Sequence, residues 1–166
     1  MSPIVSENYE LVGGVDTHDA THTFALLAAA TGAVLERAVF ATSPAGLSHA
    51  HAWLSQQLGG RTALIVVEGT GSFGAIVTAQ LQAAELQVVE AAPMPRGTGK
   101  SDELDAARIA RAVLGLELLA LGIPRELSTE RARVAMRALV VPREQMTGER
   151  TRTISRNFDG DVDRVR

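Results

Sequence analysis

The first third of the chain alternates short apolar runs with turn residues, a pattern typical of β-strands. Three such runs span Leu11–Asp16, Thr21–Ala29 and Val34–Ala41, with the tight connection Thr31-Gly32 between the second and the third. We therefore predict three strands that form an antiparallel meander. The ten residues before them are polar, and we predict that residues 1–10 are disordered.

Helical and strand patterns alternate after the meander. Ser43 followed by Pro44 supplies a capping hydroxyl and a proline suited to a first helical turn, and Gly59-Gly60 ends the pattern after Leu58. The rest of this region predicts a strand, a helix and a strand at Arg61–Glu68, Ser72–Ala84 and Leu86–Glu90. The first of these strands is almost continuously apolar, so it should be central and buried on both faces. The order predicts an α/β fold of the RNase H-like type, with a mixed five-stranded sheet and flanking helices.

The remaining third favours helices. After a loop rich in Pro and Gly, apolar spacing predicts a helix over Asp102–Leu121 and another over Ser128–Val141, which Pro142 interrupts before the pattern resumes to Ser155. Residues 156–166 have no apolar periodicity. We thus divide the chain into an α/β domain at 11–122, a long helical linker at 123–155 and a tail at 156–166 that does not look native.

Composition restricts the kind of protein. With 166 residues, 46% of them hydrophobic, the chain can form one domain with a sizeable core. It has no cysteine, so disulfides and thiolate metal sites are excluded. No apolar run approaches the roughly 20 residues of a membrane helix, and we find no secretory signal. We therefore expect a cytoplasmic protein without a membrane partner.

The net charge of −3 conceals an asymmetry along the chain. Seven arginines and three glutamates fall within residues 128–156, a surplus of four positive charges. This basic stretch is compatible with a nucleic-acid contact, and a solvated helix face explains the charge equally well. A long exposed helix in this region also predicts self-association of the chain.

Four acidic residues stand at positions suited to metal binding. Asp16 and Glu68 each end a predicted strand, and the strand ends of an open α/β sheet are where ligands bind. Asp102 and Asp105 are three residues apart at a helix start, so they can face the same side. Mg²⁺ prefers oxygen ligands, and pairs of such ions roughly 3.5–4 Å apart catalyse phosphodiester chemistry. We therefore predict one site for Mg²⁺ or Mn²⁺ made of these four carboxylates.

Each acid also has a simpler explanation. Asp102 is able to cap its helix, with Asp105 stabilised near the positive end of the helix dipole, and Asp16 is an acceptable turn residue. Glu68 is harder to explain in this way, because a carboxylate at the end of a buried run is costly to leave unpaired. We expect it to meet a positive group. The joint occurrence of the four acids carries the metal hypothesis.

Three motifs resemble a known family. They are Gly14-Val15-Asp16, Val67-Glu68-Gly69-Thr70-Gly71 and Lys100-Ser101-Asp102-Glu103-Leu104-Asp105-Ala106. In this order they are similar to the N-terminal, RuvC-like domain of DEDD-type insertion-sequence transposases, a family that includes pilin-inversion DNA invertases. The resemblance covers roughly residues 10–155.

The resemblance implies a function and a set of residues. The four acids would be a catalytic tetrad that holds Mg²⁺ for DNA strand cleavage and transfer, and Lys100 would meet a phosphate. Arg143, Arg150 and Arg152 would lie on the family's long linking helix and contact nucleic acid. DNA is an implied partner, and a structured guide RNA is a second one. Family members continue into a further domain with a serine proposed as nucleophile. Because this chain has no such domain, we expect a truncated form that is inactive alone, with a shifted reading frame after Ser155.

Three alternatives remain from the residues themselves. Gly69 to Gly74 fits G-x-G-x-x-G, and Glu90 follows at the distance of a ribose-binding acid, which suggests a dinucleotide site. Against this, Glu68 would repel a pyrophosphate, and three strands precede the motif. A phosphate loop of the actin-like or sugar-kinase type after Asp16 would need a longer chain. The third alternative is a non-catalytic nucleic-acid-binding module whose acids are structural.

Neither the histidines nor the aromatic residues suggest a further site. His18 and His22 straddle a turn and a strand, so we do not predict a zinc site from them. We predict that the aromatic residues on apolar faces, Phe24, Phe40, Trp53 and Phe73, belong to the core rather than to base-stacking platforms.

Overall fold

The computed structural model describes residues 2–93 and 102–125, without the side chains of 102–104. Its strands are β1 (Leu11–Thr17), β2 (Thr21–Ala28), β3 (Val34–Ala41), β4 (Ala63–Val67) and β5 (Gln87–Glu90). Its helices are α1 (Val5–Asn8), α2 (Pro44–Leu58), α3 (Ala75–Ala83) and α4 (Asp102–Arg111), followed by a 3-10 helix at Leu118–Ala120.

The strands form one mixed sheet with the order β3-β2-β1-β4-β5. β1, β2 and β3 pair antiparallel, as expected of the meander, whereas β4 pairs parallel with β1 and β5 pairs parallel with β4. All seven residues of β1 and all five of β4 are buried, which places both strands at the centre of the sheet. The predicted α/β fold with a mixed five-stranded sheet is confirmed.

Helices cover both faces of the sheet. On one face α2 and α3 pack over a core that contains three of the four aromatic residues predicted to lie there. The ring of Phe24 lies 5.6 Å from that of Phe40 and 6.1 Å from that of Trp53. The start of α2 follows the predicted cap, because the Ser43 hydroxyl accepts a hydrogen bond from the amide of Gly46 at 3.2 Å. On the other face α1 and α4 pack against β1 and β2.

The helix predicted over Asp102–Leu121 is shorter in the structure, where α4 ends at Arg111. Beyond it, the carbonyl groups of Leu114 and Leu116 accept hydrogen bonds from the amides of Ser6 and Val5, both at 3.0 Å. In a longer helix these carbonyl groups would accept hydrogen bonds from amides of the same helix. Here they accept from the N-terminal segment instead.

The same pairing orders the N-terminal residues. We predicted that residues 1–10 are disordered, but Val5 is fully buried in α1 and Ile4 forms a β-bridge with Glu117. The N-terminal segment carries little apolar surface, and its position is fixed by backbone hydrogen bonds together with this one buried side chain.

Several predictions fall outside the described residues. They are most of the Pro- and Gly-rich loop, the helix over Ser128–Val141, the helical linker beyond residue 125 and the tail at 156–166. Within residues 2–93 and 102–125, none of the helices is both long enough and apolar enough to cross a membrane.

Candidate functional site

Asp16 and Glu68 lie side by side at the carboxyl edge of the sheet. β1 and β4 are parallel, with Val15 opposite Val67, so the next residue on each strand is one of the two acids. The amide of Glu68 donates to the carbonyl of Val15 at 3.1 Å, which continues the pairing to this point. The sequence-based expectation that both acids stand at strand ends on one edge is met by this register.

The two carboxyl groups differ in exposure, and Asp16 affects the titration of Glu68. Asp16 is only 4% exposed, whereas the side chain of Glu68 extends into solvent. Partial burial raises the pKa of Glu68, and a hydrogen bond with the Asp16 carboxyl and the charge of Asp16 raise it further. The site therefore holds a proton more tightly than an isolated glutamate does.

The positive group expected beside Glu68 is, among the described residues, His18. The charge of Asp105 also raises the pKa of Glu68, and the opposing contribution comes from His18, which lowers it. Two acidic neighbours thus outweigh one histidine. Because Glu68 is exposed rather than buried, solvent reduces the cost of this repulsion.

Helix α4 brings Asp105 to the same edge. Asp105 also forms an ion pair with Arg108 one helical turn later, with 3.4 Å between Oδ1 and Nη1. Asp102 begins α4, and its side chain lies outside the described part of the structure. The other predicted contacts, Lys100, Arg143, Arg150 and Arg152, also lie outside it.

His18 joins the acids, although the sequence did not single it out for this position. Its Nε2 atom lies 3.2 Å from Oδ2 of Asp16, and its side chain is about half exposed. The available signal was the two-residue spacing between Asp16 and His18 at the end of β1, which places both side chains over the same edge of the sheet. The contact between His18 and Asp16 is a hydrogen bond, and it is also an ion pair when the imidazole is protonated.

A cavity of about 260 Å³ opens beside these residues. It is lined by His18, Asp19, His22, Thr42, Leu47, Ser72, Phe73 and Ile76.

Phe73 was predicted to be a core residue, but it is 59% exposed. The reason is that α3 begins at Ala75 rather than at Ser72, so Phe73 lies in the preceding turn and not on a helix face that packs inward.

The residues present fit a hard divalent cation. Their donor atoms are carboxylate oxygens, the ligands that Mg²⁺ and Mn²⁺ favour. Burial and then the neighbouring Asp16 raise the pKa of Glu68, and a cation would offset the Asp16 charge. Among the described side chains, no group of three or more His, Asp or Glu residues is already arranged to hold a metal ion. The fourth predicted ligand, Asp102, is not among those side chains.

The glycine-rich turn after Glu68 is occupied by a carboxylate of the protein itself. Glu90 accepts hydrogen bonds from the amides of Gly69 and Thr70, at 3.1 and 3.0 Å, and from the Thr70 hydroxyl. A dinucleotide would need these amides for its pyrophosphate and Glu90 for its ribose. The structure therefore argues against the dinucleotide alternative.

The comparison with protein families agrees with the motifs. A family model for transposases of the DEDD, IS110 type matches residues 13–157. The solved structure of RuvC from Thermus thermophilus is similar with 20% identity, over 83% of this chain and 96% of that chain, at a TM-score of 0.38. The comparison with curated proteins gives no match. Because the family model spans most of its length, the chain belongs to the DEDD transposase family of the IS110 type.

Proposed function

We propose that this chain provides the metal-dependent DNA-cleaving domain of a transposase. The observation that carries the proposal is the register of β1 and β4, which sets Asp16 and Glu68 side by side with Asp105 close enough to raise the pKa of Glu68. Such a concentration of carboxylates at a sheet edge is what a divalent cation requires for phosphodiester chemistry.

Asp16, Glu68, Asp102 and Asp105 would hold Mg²⁺ or Mn²⁺ in this proposal. When bound, the metal would activate a nucleophile and stabilise the leaving oxygen of the DNA strand. The chain's own residues prepare the site. Asp16 is buried near the end of a central strand, and Glu68 would supply its exposed carboxylate to the cation.

The partners follow from the family and from charge. DNA is the proposed substrate, with Lys100, Arg143, Arg150 and Arg152 as its phosphate contacts. A structured guide RNA and a second copy of the chain are further proposed partners, which the basic stretch and the helical pattern of residues 123–155 support.

Metal-dependent DNA binding tests this function against the non-catalytic alternative. We expect the purified chain to bind a fluorescently labelled DNA duplex more tightly in Mg²⁺ than in EDTA, because the cation neutralises the acidic edge that otherwise repels phosphate. Asp16→Asn should remove this difference, and Asp19→Asn, which changes an exposed acid in the same turn, should retain it. Equal binding in Mg²⁺ and EDTA by the wild-type chain would support the non-catalytic module instead.

A further inference from the structure

The backbone that carries Glu68 is held from two sides. On the β1 side, the hydroxyl of Thr17 donates to the carbonyl of Glu68 at 2.8 Å, and the carbonyl of Val15 accepts from the Glu68 amide. On the β5 side, the next two amides, those of Gly69 and Thr70, donate to Glu90. The backbone on both sides of Glu68 is thus fixed, and its side chain leaves this turn to meet the Asp16 carboxyl.

Glu90 uses its whole carboxylate for this turn. One oxygen accepts from Gly69, and the other accepts from both the amide and the hydroxyl of Thr70. Hydrogen bonds to a charged acceptor are roughly twice as strong as those between neutral groups. Since both oxygens are engaged, Glu90 is not available as a metal ligand, and its contribution is to the geometry of the turn.

Thr70 links the turn to a second segment. Its side chain is fully buried, and its hydroxyl donates to Glu90 while it accepts from the amide of Arg125 at 2.9 Å. The amide of Glu90 in turn donates to the carbonyl of Gly122 at 3.0 Å. The end of β5 and the segment after α4 therefore meet at Thr70, within the turn that follows Glu68.

We propose that Glu90 is a positioning residue for the metal centre, because it fixes the 69–70 turn and thereby the direction of the Glu68 carboxylate. This role rests on the proposed metal-dependent function. A carboxylate that is held in place before the cation arrives loses less conformational freedom on binding, and residues that orient metal ligands typically contribute 10–100-fold to affinity.

The test compares four variants of the full chain for Mn²⁺ affinity by calorimetry, melting temperature without metal, and amide hydrogen exchange at Gly69 and Thr70. Glu90→Gln replaces one acceptor oxygen by an NH₂ group, which cannot accept from the turn. Thr70→Val removes the hydroxyl at similar volume, and Thr70→Ser restores it. Glu36→Gln is the matched control, because Glu36 is exposed on β3 at the far edge of the sheet.

We expect Glu90→Gln to weaken Mn²⁺ binding by about 10-fold or more and to speed exchange at both amides. Thr70→Val should also weaken Mn²⁺ binding. It provides a second test of the proposal if Glu90→Gln does not fold. Thr70→Ser should recover most of the affinity, and Glu36→Gln should match the wild type.

Failure of the positioning role of Glu90 gives a different result from failure of the proposed metal-dependent function. Wild-type Mn²⁺ affinity in folded Glu90→Gln and Thr70→Val would overturn the positioning role and leave the metal centre intact. A loss of affinity that merely follows a lower melting temperature, without faster exchange at Gly69 and Thr70, would also overturn it. If the wild-type chain binds no Mn²⁺, the proposed function fails and the positioning role fails with it.

Discussion

Gly14 of β1 lies directly against the backbone of Ala106 in α4. A Cβ atom on Gly14 would overlap the carbonyl oxygen of Ala106 and would lie 3.0 Å from the amide nitrogen of Ala110. Because Asp105 precedes Ala106 and Asp16 follows Gly14 by two positions, this contact sets how closely the helix acids approach the strand acid. Ala106 and Ala110 are themselves fully buried, so small residues on both elements permit the approach.

We predict that Gly14→Ala separates α4 from β1. The overlap is with backbone rather than with a flexible side chain, so the helix must shift, at a cost of about 1–3 kcal/mol or more in the free energy of unfolding. The shift also moves Asp105 and weakens Mn²⁺ binding. Urea unfolding and calorimetry measure the two effects, with Gly115→Ala as the control because nothing lies within 4 Å of a Cβ there. A Gly14→Ala chain as stable as the control would show that α4 does not need this contact.

We predict that Glu68→Gln stabilises the metal-free chain at pH 7. The pKa of Glu68 is raised in the folded state, so its stabilising contribution is complete below its ordinary pKa of about 4.3 and is lost as the pH rises through the folded value. Removing the charge should restore up to about 1 kcal/mol, a small effect because the side chain is exposed and solvent screens it.

Urea unfolding in EDTA at pH 7 and at pH 4 tests this prediction, with Glu36→Gln as the control for loss of an exposed glutamate. The gain from Glu68→Gln should shrink at the lower pH, where the wild-type carboxyl is protonated. With Mn²⁺ present at pH 7 the order should reverse, because the wild type alone retains the ligand. A Glu68→Gln chain that is less stable than the wild type in EDTA at pH 7 would contradict the repulsion between Glu68 and Asp16.

We predict a second pH effect from His22, which is 1% exposed on β2. Burial lowers its pKa in the folded state, with a further lowering by the charge of His18 and opposing contributions from the Thr21 backbone and Asp16. A lowered pKa gives stability that is present above the ordinary value of about 6.5 and is lost as the pH falls through the folded value.

His22→Gln should therefore flatten the decline in unfolding free energy between about pH 7 and pH 5, since glutamine does not titrate. His51→Gln, at an exposed position of α2, should keep the wild-type decline. The measurement is urea unfolding at several pH values. An unchanged slope in folded His22→Gln would assign the decline to another group.

Local signals predicted most of the fold. The apolar runs bounded by turn residues located all five strands, and the Ser43-Pro44 cap located the start of α2, because each signal acts within a few residues. The end of α4 was missed for the opposite reason. The backbone pairing of Val5 and Ser6 with residues beyond Arg111 joins segments about a hundred positions apart, and no periodicity records it.

In the candidate site, too, features set by local sequence were predictable and features set by distant contacts were not. That Asp16 and Glu68 share an edge was predictable from two strand ends, since parallel strands bring their carboxyl ends together. The role of Glu90 was not, because its spacing from the glycine-rich turn suits a ribose-binding acid equally well. The pairing of β4 with β5 in the structure shows that the Glu90 carboxylate itself accepts hydrogen bonds from the turn amides.

The most direct test of the account is a calorimetric titration of Mn²⁺ into the purified wild-type chain at pH 7, with Asp16→Asn measured alongside. Asp16 is the central choice because it is the buried acid that contacts Glu68 and His18. We predict saturable Mn²⁺ binding that Asp16→Asn abolishes or strongly weakens, with Asp19→Asn unchanged. The absence of Mn²⁺ binding by the folded wild-type chain, or equal affinity in Asp16→Asn, would contradict the assignment of this sheet edge as a metal centre.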